Sequence, residues 1–129
     1  MTTTPPLYAR IYLLAQQIPE GKVTSYGDVA AMVGGGCDAR TVGEALRTMG
    51  AHAPEVPWQR IVSQDGAIST RGLEQRQLLD AEGVTFDRHD RVRMFRHRWA
   101  GPEAAFAAAH RFGLPPGHND PPEQFGLFE

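Results

Sequence analysis

Cysteine is almost absent from this chain, and long apolar runs are missing. Cys37 is the one cysteine in 129 residues, which excludes a disulfide within the chain and favours a reducing compartment. No segment approaches the roughly 20 consecutive apolar residues that a membrane helix needs. The N-terminal residues show neither the basic start nor the apolar run of a signal peptide. We therefore expect a soluble cytoplasmic protein that makes no use of a membrane.

Excess positive charge is also missing. The formal net charge is −2, from 13 Lys+Arg and 15 Asp+Glu, whereas many DNA-binding proteins are basic because neutralising phosphates drives much of their affinity. Arginines do gather late in the chain, at Arg88, Arg91, Arg93, Arg96 and Arg98. That run fits a solvated strand face as well as it fits phosphate contact. If the chain binds DNA, a few placed groups and shape must supply the affinity.

Motifs for metals and cofactors are missing as well. The five histidines show no metal-ligand spacing, and one cysteine completes no familiar zinc pattern with them. Gly34-Gly35-Gly36 is not followed by the Lys and Ser/Thr of a phosphate-binding loop. We expect neither a metal site nor a cofactor. Cys37 lies near the expected start of a helix, which can lower the pKa of a thiol, but no histidine neighbours it in the sequence.

The features that are present predict a mostly α-helical domain with small β elements. Length favours one domain, which we place at residues 1–100, followed by an extension over residues 101–129. The extension is predicted to be helical at first and irregular from Gly113, where proline and glycine accumulate. Apolar spacing predicts helices over residues 7–18, 26–33, 39–49, 72–82 and 103–112.

Local signals add turns and strands to this pattern. Ser25 and Asp38 are predicted N-caps of the second and third helices, which a glycine turn joins into a helix-turn-helix candidate. A hairpin is predicted over residues 60–70, and short strands over residues 84–86 and 92–95. The helix over residues 72–82 is predicted with Leu73, Leu78 and Leu79 as its apolar residues.

Four segments in order resemble the O6-alkylguanine-DNA alkyltransferases, over about half of the chain. Pro57-Trp58-Gln59-Arg60-Ile61-Val62 resembles that family's active-site pattern, Pro-Cys-His-Arg-Val-Val. Residues 18–30 resemble its first helix-turn-helix segment, and residues 39–46 its DNA-contacting helix. Residues 78–83 resemble the segment that closes the pocket. The resemblance implies a helix-turn-helix (winged-helix-like) DNA-binding domain of the alkyltransferase C-terminal type.

The departures from that pattern indicate a sensor rather than an enzyme. Trp58 stands at the position of the acceptor cysteine, and Gln59 at that of its partner histidine. A thiolate is the nucleophile in alkyl transfer, and an indole cannot replace it. The chain therefore looks like the alkyltransferase-like proteins, which lack the reactive sulfur. The resemblance implies a monomeric, nucleoid-associated DNA damage sensor that flips O6-alkylguanine out of duplex DNA and directs it to nucleotide excision repair proteins.

The resemblance also implies how the protein would hold the duplex. Arg40 matches the arginine that intercalates, and Tyr26 matches the tyrosine that crowds the 3′ phosphate of the flipped nucleotide. Ala39 and Gly43 are small where the helix would lie in the minor groove, which carries little sequence information. The implied DNA-binding residues are Thr24, Ser25, Tyr26, Ala39, Arg40, Thr41, Gly43 and Arg47.

The same resemblance predicts a pocket for the flipped base. Trp58 would form its floor, and Arg71 would face the base as a cation, an interaction of about 0.5–2 kcal/mol. Glu82 matches a glutamate that orients the missing histidine, so we expect it to bond Gln59 or backbone, and Arg60 to join the same network. The implied pocket residues are Tyr26, Val56, Pro57, Trp58, Arg71 and Glu82.

The C-terminal residues suggest a further partner. Gln124-Phe125-Gly126-Leu127-Phe128 resembles the Gln-Leu-x-Leu-Phe peptide with which bacterial repair proteins dock on the DNA sliding clamp. The residues that would contact the clamp are Gln124, Phe125, Leu127 and Phe128. Matches of five residues arise by chance, and the tail could equally cover the core.

Two other functions stay open on the sequence alone. One is an alkyltransferase that uses Cys37, and covalent gain of mass on that cysteine would reveal it. The other is a transcription regulator whose helix-turn-helix reads the major groove, and protection of one undamaged DNA sequence would reveal that.

Overall fold

The computed structural model of this protein describes residues 6–49, 56–68 and 72–116. The helices in these ranges are Pro6–Ala15 (α1), Tyr26–Val33 (α2), Ala39–Arg47 (α3), Gly72–Ala81 (α4), Met94–His97 (α5) and Ala104–His110 (α6). Two short strands, Thr24–Ser25 (β1) and Ile61–Val62 (β2), and a 3₁₀ helix, Trp58–Arg60, accompany them. The predicted fold class, mostly helical with small β elements, is confirmed. None of the helices in the described ranges is long and apolar enough to cross a membrane.

The main core lies among the first three helices. α1 buries Ile11 and Leu14, and the apolar spacing that predicted it continues past its end through a turn to the buried Ile18. The hydroxyl of Tyr12 donates a hydrogen bond to the carbonyl of Ala45 at 2.7 Å, which joins α1 to α3. These contacts fix the two later helices against the first.

α2 and α3 form the predicted helix-turn-helix. The Ser25 hydroxyl accepts a hydrogen bond from the Asp28 amide, and the Asp38 carboxylate accepts one from the Thr41 amide, so both predicted N-caps are confirmed. The turn between the helices needs glycine, because Gly34, Gly35 and Gly36 have φ values of 67°, 62° and 81°. Three consecutive residues in this region of φ set the angle at which α3 leaves α2.

The predicted hairpin over residues 60–70 is described only as far as Ile68, because residues 69 and 70 lie outside the described ranges. A turn does form, with the Ser63 amide donating to the carbonyl of Ala67. The strand before it, β2, pairs instead in parallel with β1, Thr24 opposite Ile61 and Ser25 opposite Val62. The parallel pairing is favoured because both strands bury both of their residues, which is typical of parallel pairs covered on two sides.

The three apolar residues of α4 differ in their burial. Leu79 is buried, but Leu73 is 76% exposed and Leu78 is 39% exposed. The buried side is defined by Gln75 and Leu79, four residues apart and therefore on one face of the helix. Gln75 takes the inward position because its amide nitrogen binds two backbone carbonyls there.

The predicted strands over residues 84–86 and 92–95 reduce to one antiparallel bridge between Phe86 and Val92. Met94 begins the short helix α5, which the prediction missed. The chain then returns to the N-terminal half, where the amide of Val23 donates to the carbonyl of His97 at 2.8 Å. The amide of Trp99 donates to the carbonyl of Val23 at 2.7 Å. Backbone from the late part of the chain therefore borders β1.

The predicted helix over residues 103–112 is confirmed as α6, and it packs on the main core. Ala107 and Phe112 are buried in the same cluster as α1 and α2. Arg10 of α1 holds this segment, because its guanidinium donates to the carbonyls of His110 at 2.8 Å and Arg111 at 3.0 Å. The same guanidinium donates to a carbonyl at the end of α2 and lies 4.6 Å from the centre of the Phe112 ring.

Candidate nucleic-acid interface

α3 has one buried side and one side open to solvent. Val42, Ala45 and Leu46 face the core. Opposite them, Ala39 and Arg40 are exposed in the first turn, and Arg47 is exposed in the last. The Arg40 side chain is 88% exposed, and its guanidinium lies 3.6 Å from the carboxylate of Glu44, one turn along the helix. An exposed pair of this kind contributes well under about 1 kcal/mol, so Arg40 is free to change partners.

Tyr26, Gly43 and Arg47 lie together where α2 meets the open side of α3. A methyl group added at Gly43 would lie 3.7 Å from the Arg47 guanidinium. Burial raises the pKa of Tyr26, and the charge of Arg47 opposes that rise in part. Tyr26 is half-buried against the main core. The start of α2 and the outer side of α3 therefore form one continuous surface.

Two residues predicted to bind DNA do not belong to that surface. Thr24 is buried completely, and Ser25 nearly so. The hydroxyl of Ser25 is already used as the N-cap of α2. Their burial in the β1–β2 pair argues against the predicted side-chain contacts with a duplex. Thr41 is half-buried, and its hydroxyl donates to the carboxylate of Asp38 at 2.7 Å.

Trp58 begins a tight turn at the edge of the main core. Its amide donates to the carbonyl of Val56 at 2.8 Å, and the 3₁₀ helix that follows ends at Arg60. The indole packs against the main core but is only partly buried. Val56, predicted to line the pocket, is buried in that core, while Pro57 is partly exposed. Trp58 therefore packs on the main core while part of its side chain remains exposed.

Glu82 holds the turn over Trp58–Arg60 in place through hydrogen bonds. Gln59 donates to it from its side-chain amide at 2.8 Å, and the Arg60 guanidinium donates to both of its oxygens at 2.9 and 3.0 Å. The amide of Gly21 donates to it at 3.2 Å, and Arg60 also donates to the carbonyl of Ile18 at 2.8 Å. The expectation that Glu82 bonds Gln59 and backbone is confirmed. With a side chain only 7% exposed, Glu82 supports the turn rather than lining an open pocket.

The charge state of Glu82 follows from these contacts. Burial alone would raise the pKa of Glu82, but the hydrogen bonds from Arg60, Gln59 and Gly21 outweigh burial and hold that pKa below its usual value. The carboxylate is therefore ionised at neutral pH and neutralised by Arg60.

Cys37 lies in the turn between α2 and α3, against the edge of the main core. Burial, and then the charge of Asp38, raise the pKa of the Cys37 thiol. The position near the start of a helix was expected to act in the opposite direction. A thiol with a raised pKa is a poor nucleophile at neutral pH, because the thiolate is the reactive form.

Several predicted residues lie outside the described ranges. Arg71 is one of them, so its orientation toward a base stays a prediction. The clamp-binding residues Gln124, Phe125, Leu127 and Phe128 are the others. Within the described residues, no group of three or more His, Cys, Asp or Glu side chains is arranged to hold a metal ion.

Two supporting residues were missed by sequence reasoning. Gln75 is completely buried below the Trp58 turn, and Arg98 donates to the buried carboxylate of Asp28 at 3.1 Å. A glutamine in the middle of an amphipathic helix gives no sign of which way it points. Arg98 was noticed only as one of a run of arginines, and its partner lies 70 residues earlier in the chain.

Comparison with known proteins agrees with this geometry. The family model described as "6-O-methylguanine DNA methyltransferase, DNA binding domain" matches residues 6–84. A protein of Escherichia coli (strain K12) named DNA base-flipping protein is 40% identical over 93 residues, covering 70% of this chain and 71% of that protein. Alkyltransferase-like protein 1 of Schizosaccharomyces pombe is 40% identical over 82 residues, covering 60% of this chain and 75% of that one.

A solved structure extends the likeness to three dimensions. The crystal structure of S. pombe Atl1 in complex with damaged DNA containing O6-carboxymethylguanine matches with a TM-score of 0.63 and 30% sequence identity. That match covers 76% of this chain and 98% of the other. The family match spans the helix-turn-helix, the Trp58 turn and Glu82 alike, and so the chain belongs to the family defined by the DNA-binding domain of 6-O-methylguanine DNA methyltransferase, on its alkyltransferase-like branch.

Proposed function

We propose that this protein is a non-enzymatic sensor that binds duplex DNA containing O6-alkylguanine and holds the damaged base outside the helix. The observation that carries the proposal is the position of Trp58. By the resemblance, Trp58 would stand where the family has its acceptor cysteine, in a turn where Gln59, Arg60 and Glu82 are joined in one network. A turn kept in this form without a sulfur can hold a base but cannot accept an alkyl group.

The open side of α3 would enter the minor groove. Arg40 is almost fully exposed and bound only to a surface carboxylate, so its guanidinium can leave Glu44 and fill the gap that a flipped base leaves in the stack. Tyr26, at the start of α2, would press on the backbone beside the target nucleotide, with Arg47 close enough to neutralise a phosphate.

Small residues on α3 support a close approach of the duplex. Gly43 lies in the middle of the helix, and among the described residues an added methyl group there would meet nothing closer than 3.7 Å. Glycine costs about 1 kcal/mol relative to alanine in a helix interior. Since no internal contact requires it, we attribute Gly43, and the exposed Ala39, to the space that the sugar-phosphate backbone needs.

The base would lie between Trp58 and Arg71. The partly exposed indole offers a flat surface to a purine, and stacking of a base on an aromatic side chain is worth about 1–3 kcal/mol. Arg71, as proposed from the resemblance, would supply a cation to the other face. Alkylation at O6 changes the hydrogen-bond pattern and electron distribution of guanine, so a cation there can favour the damaged base.

The test is binding to two duplexes that differ by a single O6-methyl group. We expect the native protein to bind the O6-methylguanine duplex at least about tenfold more tightly, a difference of one good contact. Arg40→Ala should weaken binding to both duplexes, because filling the gap in the stack does not depend on the lesion. Arg71→Ala should chiefly reduce the difference between the two.

Matched controls keep that test specific. Arg88 is an exposed arginine on another part of the chain, so Arg88→Ala removes the same charge without touching α3. Equal affinity of the native protein for the two duplexes would contradict the proposal. Mass spectrometry after incubation with the alkylated duplex should show no added alkyl mass on Cys37, whose pKa is raised by burial and by Asp38.

The partners in repair are part of the same proposal. A flipped, protein-bound guanine that is never repaired in place needs a second system to remove it, and we propose nucleotide excision repair proteins for that step. A monomer acting in the cytoplasm on the nucleoid fits a domain of this size. Docking of residues 124–128 on the sliding clamp is proposed from their sequence, and a synthetic peptide of these residues binding a purified clamp would test it.

A further inference from the structure

One buried polar side chain has no part in the interface just described. Among the described residues, the buried polar side chains are Thr24, Ser25, Asp28 and Gln75. Gln75 lies on α4 and is completely buried. Its side-chain nitrogen donates to the carbonyl of Gln59 at 3.0 Å and to the carbonyl of Ile61 at 3.1 Å. A primary amide has two N–H donors, and here each is given to a backbone acceptor.

These two carbonyls belong to the residues before and after Arg60, one and three positions after Trp58. The same stretch is held from its side chains by Glu82, which accepts from Gln59 and Arg60. Glu82 therefore fixes the side chains of the turn, and Gln75 fixes its backbone. Gln75 lies in the first half of α4, and Glu82 directly follows the last residue of that helix. Both groups that hold the turn are therefore positioned by α4.

We propose that Gln75 is a positioning residue for Trp58, which keeps the indole in its binding orientation before any DNA arrives. This inference rests on the proposed function, and it adds that the floor of the pocket is preformed. A side chain that recognises a base must be held to within about 0.5 Å by its surroundings. Without Gln75, the carbonyls of Gln59 and Ile61 would each lose a donor, and the turn would move to compensate for that loss.

The first experiment needs no DNA. The protein has two tryptophans, so Trp99→Phe leaves Trp58 as the one fluorescent indole. In that background, Gln75→Met keeps the length of the side chain but removes both donors. We expect faster local motion of the Trp58 indole in time-resolved anisotropy and stronger quenching by acrylamide. Gln75→Asn, whose amide is one methylene too short to reach both carbonyls, is the milder variant if Gln75→Met does not fold.

The matched control lies one turn along the same helix. Leu79 is also completely buried, on the same side of α4, and makes no hydrogen bond to the turn because its side chain is apolar. Leu79→Ala should lower the stability of the fold by a comparable amount while leaving the motion of Trp58 as in the native protein. The proposal would be overturned if the mobility of Trp58 rose equally in both variants, or if it rose in neither.

The second experiment links that motion to recognition. In Gln75→Met, we expect the ratio of affinities for the O6-methylguanine duplex and the undamaged duplex to fall about fivefold or more, since small displacements of a positioned group strongly weaken its interaction. Leu79→Ala should keep the preference at temperatures where it is folded. An unchanged preference in Gln75→Met, together with a mobile Trp58, would overturn the positioning role while leaving the proposed function in place. Absence of any preference in the native protein would instead refute the proposed function.

Discussion

Gly43 is an unusual residue for the middle of a helix that carries an interface. Its φ is not in the left-handed region, and nothing in the part of the chain that the structure describes forbids a methyl group there. We predict that Gly43→Ala will raise the free energy of unfolding by about 0.5–1 kcal/mol and at the same time weaken binding to both duplexes. Urea denaturation and duplex titration measure the two effects.

Gly83 provides the control for that substitution. It has a φ of 86°, so Gly83→Ala introduces strain and should lower the free energy of unfolding by roughly 1 kcal/mol. A gain of stability at Gly43 with no loss of DNA binding would show that the duplex does not come close to this residue.

Glu82 links stability to acid pH. Its pKa is lowered in the folded protein, where hydrogen bonds from Arg60, Gln59 and Gly21 outweigh burial, while an unfolded chain gives about 4.3. The stability it contributes is therefore complete above about pH 4.3 and is lost as the pH falls through the folded value. We predict that Glu82→Gln lowers stability at pH 7 by about 2 kcal/mol and flattens the decline below pH 4.3. Thermal unfolding across that range is the measurement.

At the scale of elements, His97 joins the end of α5 to the segment that follows α4. The Thr85 amide donates to its Nε2 at 3.0 Å, so that nitrogen carries no proton in the folded protein. Burial lowers the pKa of His97, the carbonyl of Gly21 opposes this, and the charges of Lys22, Arg96 and Arg93 add to the lowering. The folded protein therefore prefers the neutral imidazole.

The resulting prediction has a defined direction. Stability from His97 is complete above its unfolded pKa of about 6.5 and declines as the pH falls toward the lower folded value. We expect His97→Gln to remove this part of the decline, because a glutamine can accept from the Thr85 amide without titrating. The free energy of unfolding measured between pH 7.5 and 5, a range chosen to bracket about 6.5, tests it. An identical decline in native protein and variant would contradict it.

The elements also show how far the sequence could predict the fold. Both helix caps and the glycine turn were found because their signals are local: Ser25 and Asp38 each bond an amide three residues on. The partner of β2 was missed because Ile61 pairs with Thr24, 37 positions earlier in the numbering, and no local signal specifies that choice. The orientation of α4 was missed for the same reason, since Gln75 is turned inward by carbonyls that only the folded chain brings near.

Some residues of the candidate site were likewise expected from the sequence, and others were not. The bond between Glu82 and Gln59 was expected because the resemblance places Gln59 where the family has the histidine that this glutamate orients. Gln75 was not expected, because a buried amide looks like any surface glutamine in a sequence. Thr24 and Ser25 were placed on the interface by the resemblance, and only their burial in the sheet argues against it.

At the scale of the whole molecule, the segment after residue 100 is part of the stability of the helix-turn-helix. Phe112 is buried in the main core, stacked 5.9 Å from Phe106 and covered by Arg10. We predict that Phe112→Ala lowers the free energy of unfolding by about 3 kcal/mol, the usual cost of emptying a core aromatic site. Leu114, 70% exposed and two residues later, is the control, and Leu114→Ala should change stability by less than about 0.5 kcal/mol.

Arg10 has a consequence for how the chain reaches its native state in the cell. It donates to the carbonyl of His110, a partner 100 residues later in the chain. The backbone of Val23 likewise forms hydrogen bonds with His97 and Trp99, which are synthesised much later. While a ribosome is still translating, α1 and α2 can form, but the contacts that close over them have not yet been made. The surface formed by α3 and the start of α2 should therefore reach its stable folded form only late in synthesis. Rare codons or pauses before residue 110 would prolong the period in which the nascent chain depends on chaperones.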